Sequence, residues 1–203
     1  MAARLALVAA EMTDDPVQRF QEWFREAEQA GVEVPEAMTV ATASPDGAPS
    51  ARMLLLKGAD EDGFVFYSGY VSRKARELEQ NPRAALVFYW RPLGKQVRVE
   101  GQVEHVPEAE SDAYFATRPR GSQLAALASQ QSHRLESREE LERRYAELEQ
   151  EYEGRDVPRP PHWGGFRLRP DSIEFWEHRE NRLHERTCYT RAREGWTVNL
   201  LSP

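Results

Sequence analysis

The sequence predicts a mainly β fold with peripheral helices, an α+β chain whose antiparallel strands close, or nearly close, into a barrel. Two observations carry this expectation. Short apolar runs of strand length, enough for six to eight strands in meanders, are separated by Gly, Pro, Asn and Asp turn residues, and only a few amphipathic helical segments interrupt them. Strands this short and this numerous leave many exposed edges unless the sheet curls on itself, which is the physical reason to expect closure.

Taken in order, Asp14-Asp15-Pro16 supplies N-cap chemistry with proline in the first turn, and Val17, Phe20, Phe24 and Ala27 recur at helical spacing up to Gly31. Strand-like runs follow at Met38–Ser44, Ser50–Lys57 and Phe64–Ser68, with turns at Pro45-Asp46-Gly47 and across Gly58–Gly63. Ser72 caps a short helix over Arg73–Gln80, which Asn81-Pro82 stops. Two strands, Ala84–Trp90 and Gln96–His105, flank a hairpin connection at Arg91-Pro92-Leu93-Gly94. Helices are expected at 108–117 and 122–129, and Ser137-Arg138-Glu139-Glu140 is a capping box opening a charged helix to about Glu153. A Pro-rich connection, Val157–His162, leads to strands at 165–169, 172–177, 186–191 and 196–200. At 203 residues one domain spanning 1–203 is expected, with residues 1–13 flexible.

Composition narrows the function classes. A net charge of −7 disfavours nucleic acid and anionic membranes, but basic residues gather in short structured segments, so small anionic ligands remain suitable. The apolar stretch Leu5–Ala10 is too short to span a bilayer. One cysteine, Cys188, excludes an intrachain disulfide and a thiolate cluster, which suits a cytoplasmic protein. The five histidines lack metal-site spacing, so no metal is expected.

Four segments carry candidate chemistry. Ser72-Arg73-Lys74 sets two cations at a helix start, where free N–H groups favour a phosphate; a solvated, capped helix end has the same composition. Arg52 and Lys57 bracket an apolar strand, yet residues five apart face opposite sides. For both to serve one site, Lys57 must lie past the strand, the strand must be bulged, or two subunits must share the site. Tyr114, Arg118 and Ser122 place a phenol, a guanidinium and a hydroxyl at a helix junction, Tyr114 and Arg118 on one helix face and Ser122 suited to cap the next helix. Arg182, His184 and Arg186 would alternate onto one face, if extended, near Phe175-Trp176.

In content, order and spacing these segments resemble the pyridoxamine/pyridoxine 5′-phosphate oxidases. The resemblance runs from about Asp15 to Pro203 and includes Arg52–Lys57, Phe66-Tyr67-Ser68, Asn81-Pro82-Arg83, Gln130-Gln131-Ser132, Trp163-Gly164-Gly165-Phe166 and Ile173–Trp176. It implies an FMN-binding split β-barrel, antiparallel and Greek-key-like, working as a homodimer with flavin between subunits. It assigns FMN to Arg52, Tyr67, Ser68, Arg73, Lys74, Gln96, Gln131, Ser132, Trp176 and Arg186. Lys57, Tyr114, Arg118 and Ser122 would hold the substrate phosphate. Arg182 and His184 would lie against the pyridine ring as the catalytic pair, positioning it and supplying electrostatics. The implied reaction transfers a hydride from substrate C4′ to flavin N5, with O2 reduced to H2O2. Residues 1–13 lack the Arg-x-x-Tyr element that many family members fold over the substrate. Two alternatives stay open: a flavin oxidase of phenazine biosynthesis, and a non-catalytic split barrel binding flavin or haem.

Overall fold

A computed structural model describes residues 15–203, so the flexibility expected of residues 1–13 and the element missing from them lie outside the described residues. The Asp15 carboxylate accepts a hydrogen bond from the Val17 amide (2.9 Å) and starts α1 (Pro16–Gln29), as the capping signal predicts. The helix buries Val17, Phe20, Trp23 and Ala27, and Phe24 packs half-buried at the core edge against Phe20 and Trp90.

Among the described residues nine strands form: β1 (Ala37–Ala43), β2 (Pro49–Leu55), β3 (Gly58–Asp60), β4 (Gly63–Gly69), β5 (Arg83–Trp90), β6 (Lys95–His105), β7 (Trp163–Glu177), β8 (Glu185–Arg191) and β9 (Trp196–Leu200). The described residues also form the helices α2 (Arg73–Gln80), α3 (Glu108–Thr117), α4 (Arg120–Ala128) and α5 (Arg138–Glu151). The strands form one antiparallel sheet in the order β2-β1-β5-β6-β7-β4-β3, with β8 and β9 continuing from β7. The sheet curls, and the Lys57 amide donates to the Val65 carbonyl (2.8 Å), tying the chain beyond β2 to β4. Inside the curl, Phe20 meets Phe64 and Phe88 at ring separations of 4.9 and 5.0 Å, among Met38, Val40, Leu86, Val97, Leu168 and Phe175. A smaller cluster of Phe115, Leu124, Val157 and Trp163 packs α3 and α4 beside the barrel.

The structure corrects several expected boundaries. The Gly58–Gly63 turn contains β3, because Asp60 accepts from the Asp62 and Gly63 amides and closes a tight hairpin onto β4. Strands 165–169 and 172–177 are one strand, β7, bulged where Glu100 and Gly101 of β6 face Ser172 and Pro170. Gly101 is required at that bulge, since a Cβ there would fall 1.9 Å from the Arg169 carbonyl oxygen. Helix α4 begins at Arg120 behind Pro119, so Ser122 sits in its first turn and does not cap it. Strand β2 ends at Leu55, which leaves Lys57 past the regular strand, the first of the three arrangements its spacing allowed.

Candidate active site

The start of α2 buries a cation. The Ser72 hydroxyl caps the helix by accepting from the Ala75 amide (3.4 Å), and Lys74, only 5% exposed, turns back beneath it. Its Nζ donates to Ser68 Oγ (2.8 Å), Ser72 Oγ (3.2 Å) and Gln131 Oε1 (3.3 Å), all neutral acceptors, and no carboxylate among the described residues pairs with it. Burial, reinforced by the Arg52 charge, pushes the amine down to about 8.

Beside it, Glu77 of α2 gathers the other two cations of the cluster. Its carboxylate accepts from Thr42 (2.5 Å), Ser50 (2.6 Å) and Arg73 Nε (2.8 Å) and lies 3.5 Å from Arg52. Burial opposes ionisation there, but the hydrogen bonds from Ser50, Thr42 and Arg73 and the Arg73 charge hold the carboxyl at about 2. Arg52 also donates to the Val40 carbonyl (3.1 Å) and Thr42 Oγ1 (2.6 Å), so its head is fixed on the inner side of β2.

Gln131 joins this cluster to a second one. Its Oε1 accepts from Ser68 (2.9 Å) and the Gly69 amide (3.1 Å), while its side chain lines a cleft of about 270 Å³ with Arg118, Ser122, Ser129, His162 and Trp163. The Arg118 guanidinium lies 4.5 Å over Trp163, and burial depresses its pKa. Arg118 Nη1 and His162 Nε2 are buried without hydrogen-bond partners among the described residues. Each such atom costs about 1–3 kcal/mol unless a ligand or water meets it. Tyr114 stacks on Tyr67 (3.9 Å) and lies parallel to Trp163 (6.2 Å), and burial raises its phenol pKa despite the Arg118 charge. Burial, then the charge of Glu110, pushes the Tyr67 phenol up to about 12.

A third group lies on the outward face of the sheet. Register places Tyr89, Gln96, Trp176 and Arg186 in one cross-strand row over β5, β6, β7 and β8. Arg186 is bidentate on Glu174 (2.8 and 3.1 Å) and also donates to the Ser202 carbonyl (2.8 Å); Arg98 shares Glu174. His184 packs on Trp176 (4.6 Å), and its Nδ1 accepts from the Arg179 amide (3.2 Å). That bond leaves the proton of the neutral ring on Nε2. Burial, then the charges of His178 and Arg182, keep the imidazole below its usual value.

One expectation fails locally. Arg182 does not alternate with His184 and Arg186, because it lies in a 3-10 turn at φ 61° before β8 begins at Glu185. Tyr67 and Ser68 are neighbours on β4 and so face opposite sides, which sends the Tyr67 ring to the Tyr114 stack and away from Lys74. Ser132 is exposed at φ 68°, and Lys57 is exposed at a separate apolar cleft with Phe20, Phe24 and Leu56. The residues that sequence reasoning passed over are Glu77, Glu174 and His162. Glu77 had a local signal, standing four after Arg73 on one helix; the Arg98 and Arg186 partners of Glu174 and the cleft neighbours of His162 come from other segments. Among the described residues no group of His, Cys, Asp and Glu could hold a metal, and no helix is long and apolar enough to cross a membrane.

Comparison with known proteins bears on this geometry. Residues 24–152 match the model of the pyridoxamine 5′-phosphate oxidase family, and residues 163–203 match a pyridoxine 5′-phosphate oxidase C-terminal dimerisation region. The chain is 63% identical to a pyridoxine/pyridoxamine 5′-phosphate oxidase of Rubrobacter xylanophilus over 93% of its own length and 87% of the relative's. A Myxococcus xanthus protein of the same name is 58% identical, over 93% of this chain and 92% of that one. Among solved structures, PhzG from Burkholderia lata, crystallised with tetrahydrophenazine-1-carboxylic acid, superposes with a TM-score of 0.92 at 34% identity, covering 96% and 95% of the two chains.

Proposed function

The chain belongs to the pyridoxamine 5′-phosphate oxidase family, and from that premise we propose that it oxidises pyridoxine and pyridoxamine 5′-phosphates to pyridoxal 5′-phosphate, as a homodimer using FMN and O2. One observation carries the reading. Two cations with no carboxylate partner among the described residues, buried Lys74 and half-buried Arg118, lie on either side of Gln131, which Lys74 contacts and which lines the Arg118 cleft, as two phosphorylated ligands lying side by side would need.

The residues present fit FMN. Lys74, the Arg52–Arg73 pair and the α2 N-terminus form a cradle for its phosphate, with Ser68 and Gln131 supplying neutral contacts. Held there by Lys74, Arg52 and Arg73, FMN would supply the redox chemistry, hydride acceptance from the substrate with O2 as the final oxidant, reduced to H2O2. The chain's own part is placement. Arg118, Ser122 and Tyr114 hold the substrate phosphate away from the reacting carbon, so that binding energy orients C4′. Lys57, which lines a separate cleft within one chain, would add its charge to this phosphate from across the subunit-shared site, and Arg182 and His184 would lie along the pyridine ring. His184, with Nδ1 engaged, offers an Nε2 proton to a ring substituent and need not act as a base.

Gln96, Trp176 and Arg186 lie on the outward sheet face, and Arg52 and Lys74 on the inner cluster, so the ten FMN residues fall into separate groups within one chain. A subunit-shared site reunites them. The apolar residues left exposed on that face, Met53 (62%), Leu55 (42%) and Tyr89 (56%), support a partner copy covering it, as does the match to a dimerisation region.

The test is aerobic incubation of the purified protein with each phosphorylated vitamer. Expected are a yellow protein, formation of pyridoxal 5′-phosphate and an equivalent of peroxide. Yellow protein inert towards both vitamers would refute the reading, and turnover of a reduced phenazine precursor alone would replace it.

A further inference from the structure

We propose that His162 is an additional phosphate ligand, donating from Nε2 to the phosphoryl group that Arg118 holds; the inference rests on the reading of Arg118 as a substrate-phosphate residue. Arg118 Nη1 and His162 Nε2 are the buried side-chain atoms left without partners among the described residues, and both residues line one cleft with Ser122 and Gln131. A guanidinium can only donate, so whatever satisfies Nη1 is an acceptor. An acceptor group with several oxygens can take a second donor alongside it, and imidazole Nε2 donates both as the neutral Nε2–H tautomer and as the cation. A phosphate monoester has the three terminal oxygens this requires.

The surroundings make His162 a fixed element of the cleft. Its carbonyl accepts from the Tyr70 amide at 2.6 Å, and the next amide, of Trp163, donates to Pro160 at 3.0 Å, so the backbone is pinned on both sides. Trp163 then underlies the Arg118 guanidinium. The facing wall is kept open by Gly69, where a Cβ would lie 3.2 Å from Gln131 and 3.8 Å from the His162 carbonyl oxygen.

The experiment compares His162→Phe, His162→Gln and Arg118→Ala as flavin-loaded enzymes. KM and kcat for pyridoxine 5′-phosphate, inhibition by inorganic phosphate and flavin content are measured for each. His162→Phe should raise KM and the inhibition constant for phosphate about tenfold, with kcat within about twofold and flavin content unchanged. Gln, whose amide also donates, should restore most of the loss. Arg118→Ala should raise KM by about ten- to a hundredfold. If Arg118→Ala is impaired while His162→Phe is not, or if Phe and Gln are impaired alike, the inference is overturned and the reading of Arg118 stands. An unaltered KM in Arg118→Ala overturns that reading and this inference together. Should Phe overfill the cleft and empty the protein of flavin, His162→Ala in the same assays decides the matter.

Discussion

Glu77 and Lys74 occupy one short helix and are perturbed for opposite reasons, one by donors that surround it and the other by burial without a counter-ion. Because the folded Glu77 carboxyl titrates near 2 and its ordinary value is 4.5, its contribution to stability is complete above about 4.5 and is lost as pH falls through about 2. Glu77→Gln should therefore flatten the acid limb of a melting-temperature profile over that window. At pH 7 it should lower Tm by about 3–8 °C, from loss of charge-assisted hydrogen bonds. Lys74 gives a slope of the same sign for the opposite reason, since folding disfavours its charged form. Its folded pKa of about 8 lies below the ordinary 10.5, so flavin-free protein should gain stability as pH rises from about 8 to 10.5. FMN affinity should fall over the same interval as the ammonium is lost. Parallel melting and flavin titrations check both directions, and a flat affinity profile would mean that Lys74 is not the phosphate ligand.

Strands β6 and β7 position the site at the scale of elements. The bulge opposite Gly101 lets one strand pair with β4 along its first half and with β8 along its second, which sets the Trp163 end beside Arg118 and the Trp176 end beside His184. Gly101→Ala should cost at least about 2 kcal/mol, or about 4–8 °C in Tm, because the added Cβ meets backbone and no side chain can yield. A thermal melt tests this, and a shift below about 2 °C would show that the bulge relaxes. Helix α3 ends at Thr117 and α4 restarts at Arg120, and the two-residue break aims Arg118 into the cleft from an extended backbone.

For the whole molecule, the exposed Met53, Leu55 and Tyr89 form an apolar face around the row of Gln96, Trp176 and Arg186. Met53→Glu should convert the dimer to monomer in light-scattering chromatography and cost flavin in the same step, since the two ligand groups would no longer meet. A monomer that keeps its flavin at wild-type affinity would place the whole site within one chain and refute the shared arrangement.

Much of the local structure was readable in the sequence because short-range chemistry decides it: the Asp15 and Ser72 caps, the helix over Arg73–Gln80, and the alternation of β5 and β6. The family followed from segments matched in order along the chain. Tertiary structure alone could join 165–169 to 172–177 across a bulge, remove Arg182 from the row of His184 and Arg186, and stack the Tyr67 ring on Tyr114. It alone could also bring Glu77 to Arg52, Glu174 to Arg186 and His162 into the Arg118 cleft. The reason is one of range. Caps and alternation depend on neighbours a few residues away, whereas the partners of a buried charge are set by which distant strands share a face, and spacing along the chain does not encode that.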